Sequence, residues 1–252
     1  DVTADLAMRR AINYAVDRQA LVDGVLNGFG TPAFTPADGL PWGNPDAAIE
    51  DGDLERARRI LADGGWEDLD GDGVVEKDGV RAELRIAYRA SDLDRQGLAV
   101  AVADQLAAIG IDATPEGMEG SASFAVAPHQ PVVFGWGSHD ASEIYRLYHS
   151  SLIGTEDIYN ANRFSDPYVD EQLDLAMSAT DLEVAAEHFR AAALGPDGHG
   201  YAVEGMAPWV WLVNLDHTYL VHECLDLGPL QIEPHGHGYP ITEGLSRWQW
   251  SC

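Results

Sequence analysis

Three features of the sequence predict an α/β fold. They are a strand, helix and strand between residues 83 and 114, a short apolar strand breaking into a polar turn near residue 137, and amphipathic helices with acidic caps elsewhere. In the first, Leu84, Ile86 and Tyr88 alternate with Glu83, Arg85 and Ala87, as in a strand with one buried face. Ser91 and Asp94 stand at capping-box spacing ahead of Leu98, Val100, Val102, Leu106 and Ile109, an amphipathic helix running to Gly110. Residues 111–114 form the second strand. The apolar run 131–136 is a third; it enters Gly137-Ser138-His139-Asp140 and is followed by a helix from Glu143 to Tyr148. Ligands of open α/β sheets favour such strand ends.

Outside this unit, Ala11, Ile12, Ala15, Val16, Leu21, Val22 and Val25 recur at helical spacing over residues 8–26, with Asp17 placed to cap a second helix at a bend. Gly28 and Gly30 close it. Pro32, Pro36, Pro41 and Pro45 with Gly39 and Gly43 predict a long irregular stretch across a surface. Asp53 starts a helix over 54–61 that Gly64 and Gly65 stop. Ser165-Asp166-Pro167 opens a helix through Leu173 and Met177, and Asp181 begins another through Phe189. Residues 194–205 are glycine-rich and predict a loop, while 209–213, with Trp209 and Trp211, read as a buried strand. The tail from Pro234 is turn-rich and ends in Arg247-Trp248-Gln249-Trp250, aromatics that normally pack on another surface.

With 252 residues, of which 46% are hydrophobic, the chain can bury one large core or two modest ones. The 42 Asp and Glu against 15 Lys and Arg give a formal charge of -27, which repels nucleic acid and disfavours anionic lipid. No run approaches the roughly 18 to 20 apolar residues of a membrane-spanning helix. Cys224 and Cys252 match no zinc spacing; they pair if the compartment is oxidising, or stand as two free thiols. Residues 1–10 read as the entry to a helix and show no charged and apolar secretory leader, an absence that carries no information if the chain is an excerpt. No Gly-x-Ser-x-Gly, His-Glu-x-x-His or phosphate-cradling glycine loop occurs, so the expectation is that the protein is not an enzyme.

Five segments in register resemble family 5 of the extracellular solute-binding proteins, the peptide, opine and nickel binders of ABC importers. They are Met8-Arg9-Arg10-Ala11-Ile12-Asn13-Tyr14-Ala15-Val16-Asp17-Arg18; the helix ending Gly64-Gly65-Trp66; Asp68-Leu69-Asp70-Gly71-Asp72-Gly73; Gly135-Trp136; and Ser165-Asp166-Pro167-Tyr168-Val169-Asp170. The resemblance implies the second lobe of a type II periplasmic-binding-protein-like fold, a mixed sheet flanked by helices, in a parent about twice this length. It divides the chain into a solute-binding lobe, 1–207, and a returning segment, 208–252, that would pack with the first lobe. The implied function is capture of an oligopeptide, dipeptide or metal chelate outside the cytoplasm, by a periplasmic or lipid-anchored protein, for delivery to an ABC permease. A nickel-chelate binder is the alternative within this class. A sensory ligand-binding domain and a metal-dependent hydrolase are alternatives outside it.

In peptide-binding relatives an Asp after the Gly-Trp strand end holds the ligand's amino terminus. Here His139 stands at that place, or Asp140 takes it over after a deletion, and the shortened turn is similar to the nickel-binding branch. Trp136, His139 and Asp140 are therefore candidate ligand contacts: an imidazole or carboxylate beside an aromatic wall can pair with an ammonium or ligate a chelate. The competing reading makes Trp136 lobe core and His139 a solvated turn residue. Pro234-His235-Gly236-His237 puts two imidazoles on one side of an extended segment, a ligand or metal pair suited to nickel, copper or zinc if it is not an ordinary turn. His217 and His222 are expected in packing or surface roles. Asp68, Asp70 and Asp72 with Gly73 match the first half of a calcium loop, but the twelfth position is Gly79 where a bidentate Glu belongs, and Glu76 and Asp78 compensate only in part. An acidic structural turn is the competing reading there. No cofactor is required by any of these sites.

Overall fold

The computed structural model describes the chain except for residues 120, 121, 137–139, 157, 217 and 230–243 and the side chain at 124. Asp5 accepts the backbone N–H of Met8 and starts α1, Leu6–Ala15, which buries Met8, Ala11, Ile12, Tyr14 and Ala15. Val16 turns extended, and Asp17 caps α2, Arg18–Gly24, through the Ala20 N–H at 2.8 Å, the bend that the sequence predicts. β1, Gly30–Pro32, precedes the proline-rich stretch. That stretch is not simply a surface crossing, because Ala33, Thr35, Ala37 and Ala47 are buried and the Asp38 carboxylate ties down the N–H groups of Phe34 and Thr35. α3, Leu54–Asp63, is capped by Asp53 and lays Ala57 and Leu61 against α1.

The acidic turn leads into β2, Glu76–Lys77, and β3, Val80–Arg81, an antiparallel pair, and then into β4, Glu83–Arg89. α4, Leu93–Ala107, crosses over to β5, Asp112–Met118, which runs parallel to β4 with Glu83 opposite Asp112 and Arg89 opposite Met118. The cap of α4 is Asp92, which accepts the Arg95 N–H at 3.0 Å, not the expected Ser91. Leu84, Ile86 and Tyr88 are buried as their alternation predicts; Ala87 is buried too, because a parallel sheet is covered on both faces.

After α5, Ala122–Val126, the expected strand over 131–136 is present only as a parallel bridge between Ala87 and Val132. The Ala87 N–H donates to Pro131 O and the Val133 N–H to Ala87 O, and the chain then leaves the ladder as the Phe134 and Trp136 rings turn into an aromatic group. α6, Ser142–Tyr148, follows. α7, Pro167–Ser178, capped by Asp166, and α8, Leu182–Ala193, capped by Asp181, form a helical hairpin over a second core with α6.

Residues 209–212 belong to no helix or strand and are half-buried, and strand pairing begins at β6, Val213–Leu215, which is antiparallel to β1. β7, Leu225–Asp226, and β8, Gln249–Trp250, make a last antiparallel pair. There Cys224 and Cys252 are disulfide-bonded with their Cα atoms 5.3 Å apart. The ladder, together with the Ser251 N–H on Cys224 O at 2.7 Å, holds the final residue in place for the bond. Trp250, expected to pack, is 63% exposed, and its ring lies 4.9 Å from the His222 ring. Parallel and antiparallel pairings thus both occur, on separate ladders flanked by helices. The hydrophobic residues form two clusters, one around α1, α3, α4 and β4, the other around α6, α7 and α8.

Candidate functional site

A cavity of about 1210 Å³ opens where residues 134–136 meet residues 206–216. Its aromatic wall is Phe134, Trp136, Trp209 and Trp211. Trp136 sits at the centre, with ring centroids 4.6 Å from Phe134, 4.8 Å from Trp209 and 6.3 Å from Trp211, all edge to face. Such geometry favours aromatic pairs beyond simple burial. The run 209–212 is half-buried because it forms this wall, which explains why an apolar segment lacks a strand partner.

Behind the wall the indole N–H of Trp211 donates to the Tyr148 hydroxyl at 2.9 Å. Tyr148, fully buried on α6, stacks on Tyr201 with centroids 4.0 Å apart. Burial first, and then the neighbouring Tyr201, push the Tyr148 hydroxyl well above its ordinary pKa, so it stays a neutral acceptor for the indole. Neither tyrosine stands out in the sequence, because the pairing joins residues far apart in the chain. Among the described residues, the buried indole N–H groups of Trp136 and Trp209 have no hydrogen-bond partner, nor does the Asn162 side-chain oxygen. Orphaned polar atoms beside a cavity mark where a ligand or a small rearrangement would be rewarded.

Of the sequence-derived candidates, Trp136 and Asp140 both line this cavity. The Asp140 carboxylate accepts the Ser142 N–H at 2.8 Å and the Ser142 hydroxyl at the entry to α6. His139, His235 and His237 lie outside the described residues, as does His217. His222 is at the surface, its Nδ1 accepting the Cys224 N–H at 3.1 Å.

The carboxylates of Asp68, Asp70 and Asp72 converge, their nearest oxygens within 4.8 Å of one another and all exposed. They are already engaged. Asp68 accepts the Gly71 and Gly73 N–H groups, and Arg81 reaches Asp72 at 2.8 Å, Glu83 at 2.9 Å and Asp70 at 3.8 Å. The Val74 N–H and then the Arg81 guanidinium hold the Asp72 carboxyl below the usual range. This cluster does not line the aromatic cavity.

Two arginines of α1 fasten it to residues 203–207, which lead into the run that lines the cavity. The Arg9 guanidinium donates to Thr3 O and Ala4 O on one side and to Met206 O and Ala207 O on the other, at 2.8–3.3 Å. Arg10 donates to Val203 O, Glu204 O and Gly205 O. Among the described residues no helix is long and apolar enough to cross a membrane.

Residues 1–157 match the bacterial extracellular solute-binding proteins, family 5 Middle. Protein XP55 of Streptomyces lividans is 33% identical over 237 residues, which cover 92% of this chain and 42% of that protein. In structure the chain is similar to NikZ from Campylobacter jejuni in complex with Ni(L-His), with a TM-score of 0.77 and 24% identity over 98% of this chain and 49% of that one. It is likewise similar to the oligopeptide-binding protein AppA from Bacillus subtilis in complex with a nonapeptide, with a TM-score of 0.75 and 24% identity over 100% of this chain and 48% of that one. The chain thus spans about half the length of the relatives it matches. The match over residues 1–157, with a relative 33% identical over 92% of this chain, shows that the chain belongs to family 5 of the bacterial extracellular solute-binding proteins.

Proposed function

We propose that this chain is the second lobe, 1–207, and returning segment, 208–252, of the substrate-binding component of an ABC importer. It captures an oligopeptide, dipeptide or metal chelate outside the cytoplasm and presents it to a membrane permease. The observation that carries this reading is the aromatic cavity, whose wall is built jointly by Trp136 of the lobe and by Trp209 and Trp211 of the returning segment. Its volume of about 1210 Å³ suits a ligand larger than a single amino acid. A ligand against such a wall would bridge two lobes and favour the closed arrangement, which is equilibrium capture without bond chemistry. Trp136 supplies stacking, and Asp140 a carboxylate for an ammonium or a chelated metal. His139, with His235 and His237, would add imidazoles if the cargo is a nickel chelate.

Calorimetric titration of the intact polypeptide with mixed short peptides, and separately with Ni²⁺ plus L-histidine, tests the reading. Saturable uptake of one of the two is expected. Heat from neither contradicts capture, and silence towards nickel alone removes the chelate version.

A further inference from the structure

The two tryptophans at 209 and 211 are held in the wall by different means. The Trp211 ring has a polar tether, its indole N–H on the Tyr148 hydroxyl. The indole N–H of Trp209 is buried and, among the described residues, has no partner. Its ring meets Trp136 edge to face at 4.8 Å and Trp211 at 6.1 Å, tilted by 39°. Aromatic pairs tolerate a range of offsets, so these contacts do not fix where the Trp209 ring stands; its backbone does.

That backbone is gripped by side chains from elsewhere in the chain. Ala207, at φ 46°, takes a left-handed conformation that residues other than glycine adopt at a cost. From there onward Arg9 donates to Ala207 O at 3.1 Å, Asn162 to Pro208 O at 3.0 Å, Asn13 to Trp209 O at 3.2 Å and Arg18 to Trp211 O at 2.7 Å. Asn13 is the node of this set. It is 1% exposed and stands on α1 one turn after Arg9. Its amide nitrogen donates to Arg9 O at 3.1 Å as well as to Trp209 O, and its oxygen accepts the Arg18 guanidinium at 2.9 Å. Two carbonyls require the nitrogen and the guanidinium requires the oxygen, so one orientation of a carboxamide satisfies all three. Asn13 does not itself line the cavity.

We propose, resting on the capture reading above, that Asn13 is a positioning residue for the ligand: it acts through the Trp209 carbonyl and sets where that indole stands against Trp136. Aspartate at this position keeps an acceptor for Arg18 but turns a carboxylate oxygen towards Arg9 O and Trp209 O with no proton to donate. It would push away the wall that asparagine holds.

Asn13→Asp and Asn13→Ala are compared with wild type, with Trp209→Leu and with Leu61→Ala, a cut in the core on α3 at a residue that does not line the cavity. Near-ultraviolet circular dichroism of the folded, ligand-free proteins reads the setting of Trp209, as the difference between wild type and Trp209→Leu. Calorimetry with mixed short peptides and with Ni²⁺ plus L-histidine reads capture, and thermal melting reads stability. Both Asn13 variants are expected to lose most of that spectral difference and to bind about tenfold more weakly whichever probe the wild type takes up. Leu61→Ala is expected to melt lower yet keep the wild-type spectrum and affinity. A folded Asn13 variant that retains either the wild-type spectrum or the wild-type affinity overturns the assignment. So does a Leu61→Ala protein that loses both, since lowered stability then explains the effect. Should the buried aspartate prevent folding, Asn13→Ala decides alone. A wild type that takes up neither probe removes the capture reading, and the spectra then decide by themselves whether Asn13 sets Trp209.

Discussion

Arg18 is the largest fully buried side chain, and its charge is met from every direction. Its guanidinium donates to Asn13 O and Oδ1, Ala33 O at 2.8 Å, Trp211 O at 2.7 Å and the Asp51 carboxylate at 3.0 Å. Burial lowers its pKa, and the hydrogen bond and charge of Asp51 offset that only in part. Removing one partner of a buried pair leaves the rest uncompensated, a cost of about 3–5 kcal/mol. Arg18→Met is therefore expected to lose roughly that much in urea unfolding, whereas breaking the half-exposed Arg56–Glu204 pair would cost about 0–1 kcal/mol. A loss below about 1 kcal/mol for Arg18→Met would show that the network is not a structural keystone. The sequence places Arg18 in the family motif but is silent about this role, because its acceptors are carbonyls and a carboxylate up to 193 positions away.

At the scale of elements, helix starts were the most legible feature. Asp17, Asp53, Asp166 and Asp181 each cap the helix predicted for them, since an N-cap is a local bargain between one side chain and N–H groups two or three residues on. Asp92 displaced Ser91 by one position for the same local reason. Strands fared worse. The apolar runs at 131–136 and 209–213 look alike in sequence, but whether they pair depends on neighbours that arrive from elsewhere: Ala87 reaches only Val132, and β1 reaches only Val213 to Leu215. The acidic turn at 68–73 is a further case. Its spacing suggests calcium, yet β3 swings Arg81 among the carboxylates and supplies the positive charge from within. Calcium at millimolar concentration is accordingly expected to leave the melting temperature of the wild type unchanged, while Arg81→Gln, with its carboxylates released, gains about 2–4 °C. Stabilisation of the wild type by calcium would contradict this account of the turn.

For the whole molecule, the charge of -27 was readable from composition and the family from five short segments, whereas composition allowed one large core or two modest ones and the described residues form two clusters. The cavity was legible only by halves. Trp136 and Asp140 were singled out by a strand end, a common ligand position, together with the family resemblance, but Trp209 and Trp211 read as a buried strand, and Tyr148 carried no signal. Trp209 and Trp211 lie in a run whose backbone carbonyls, with those of residues 203–207 before it, are held by Arg9, Arg10 and Arg18. Because Trp136 touches every other ring of the wall, it is the residue on which the proposed capture would depend most. The direct measurement is the affinity of the intact polypeptide for the peptide or chelate it takes up, compared between wild type and Trp136→Leu, with thermal melting to verify the fold. The account predicts a loss of at least about tenfold, the scale expected for an aromatic anchor in a desolvated pocket. A Trp136→Leu protein that folds and binds as tightly as the wild type would place the ligand somewhere else.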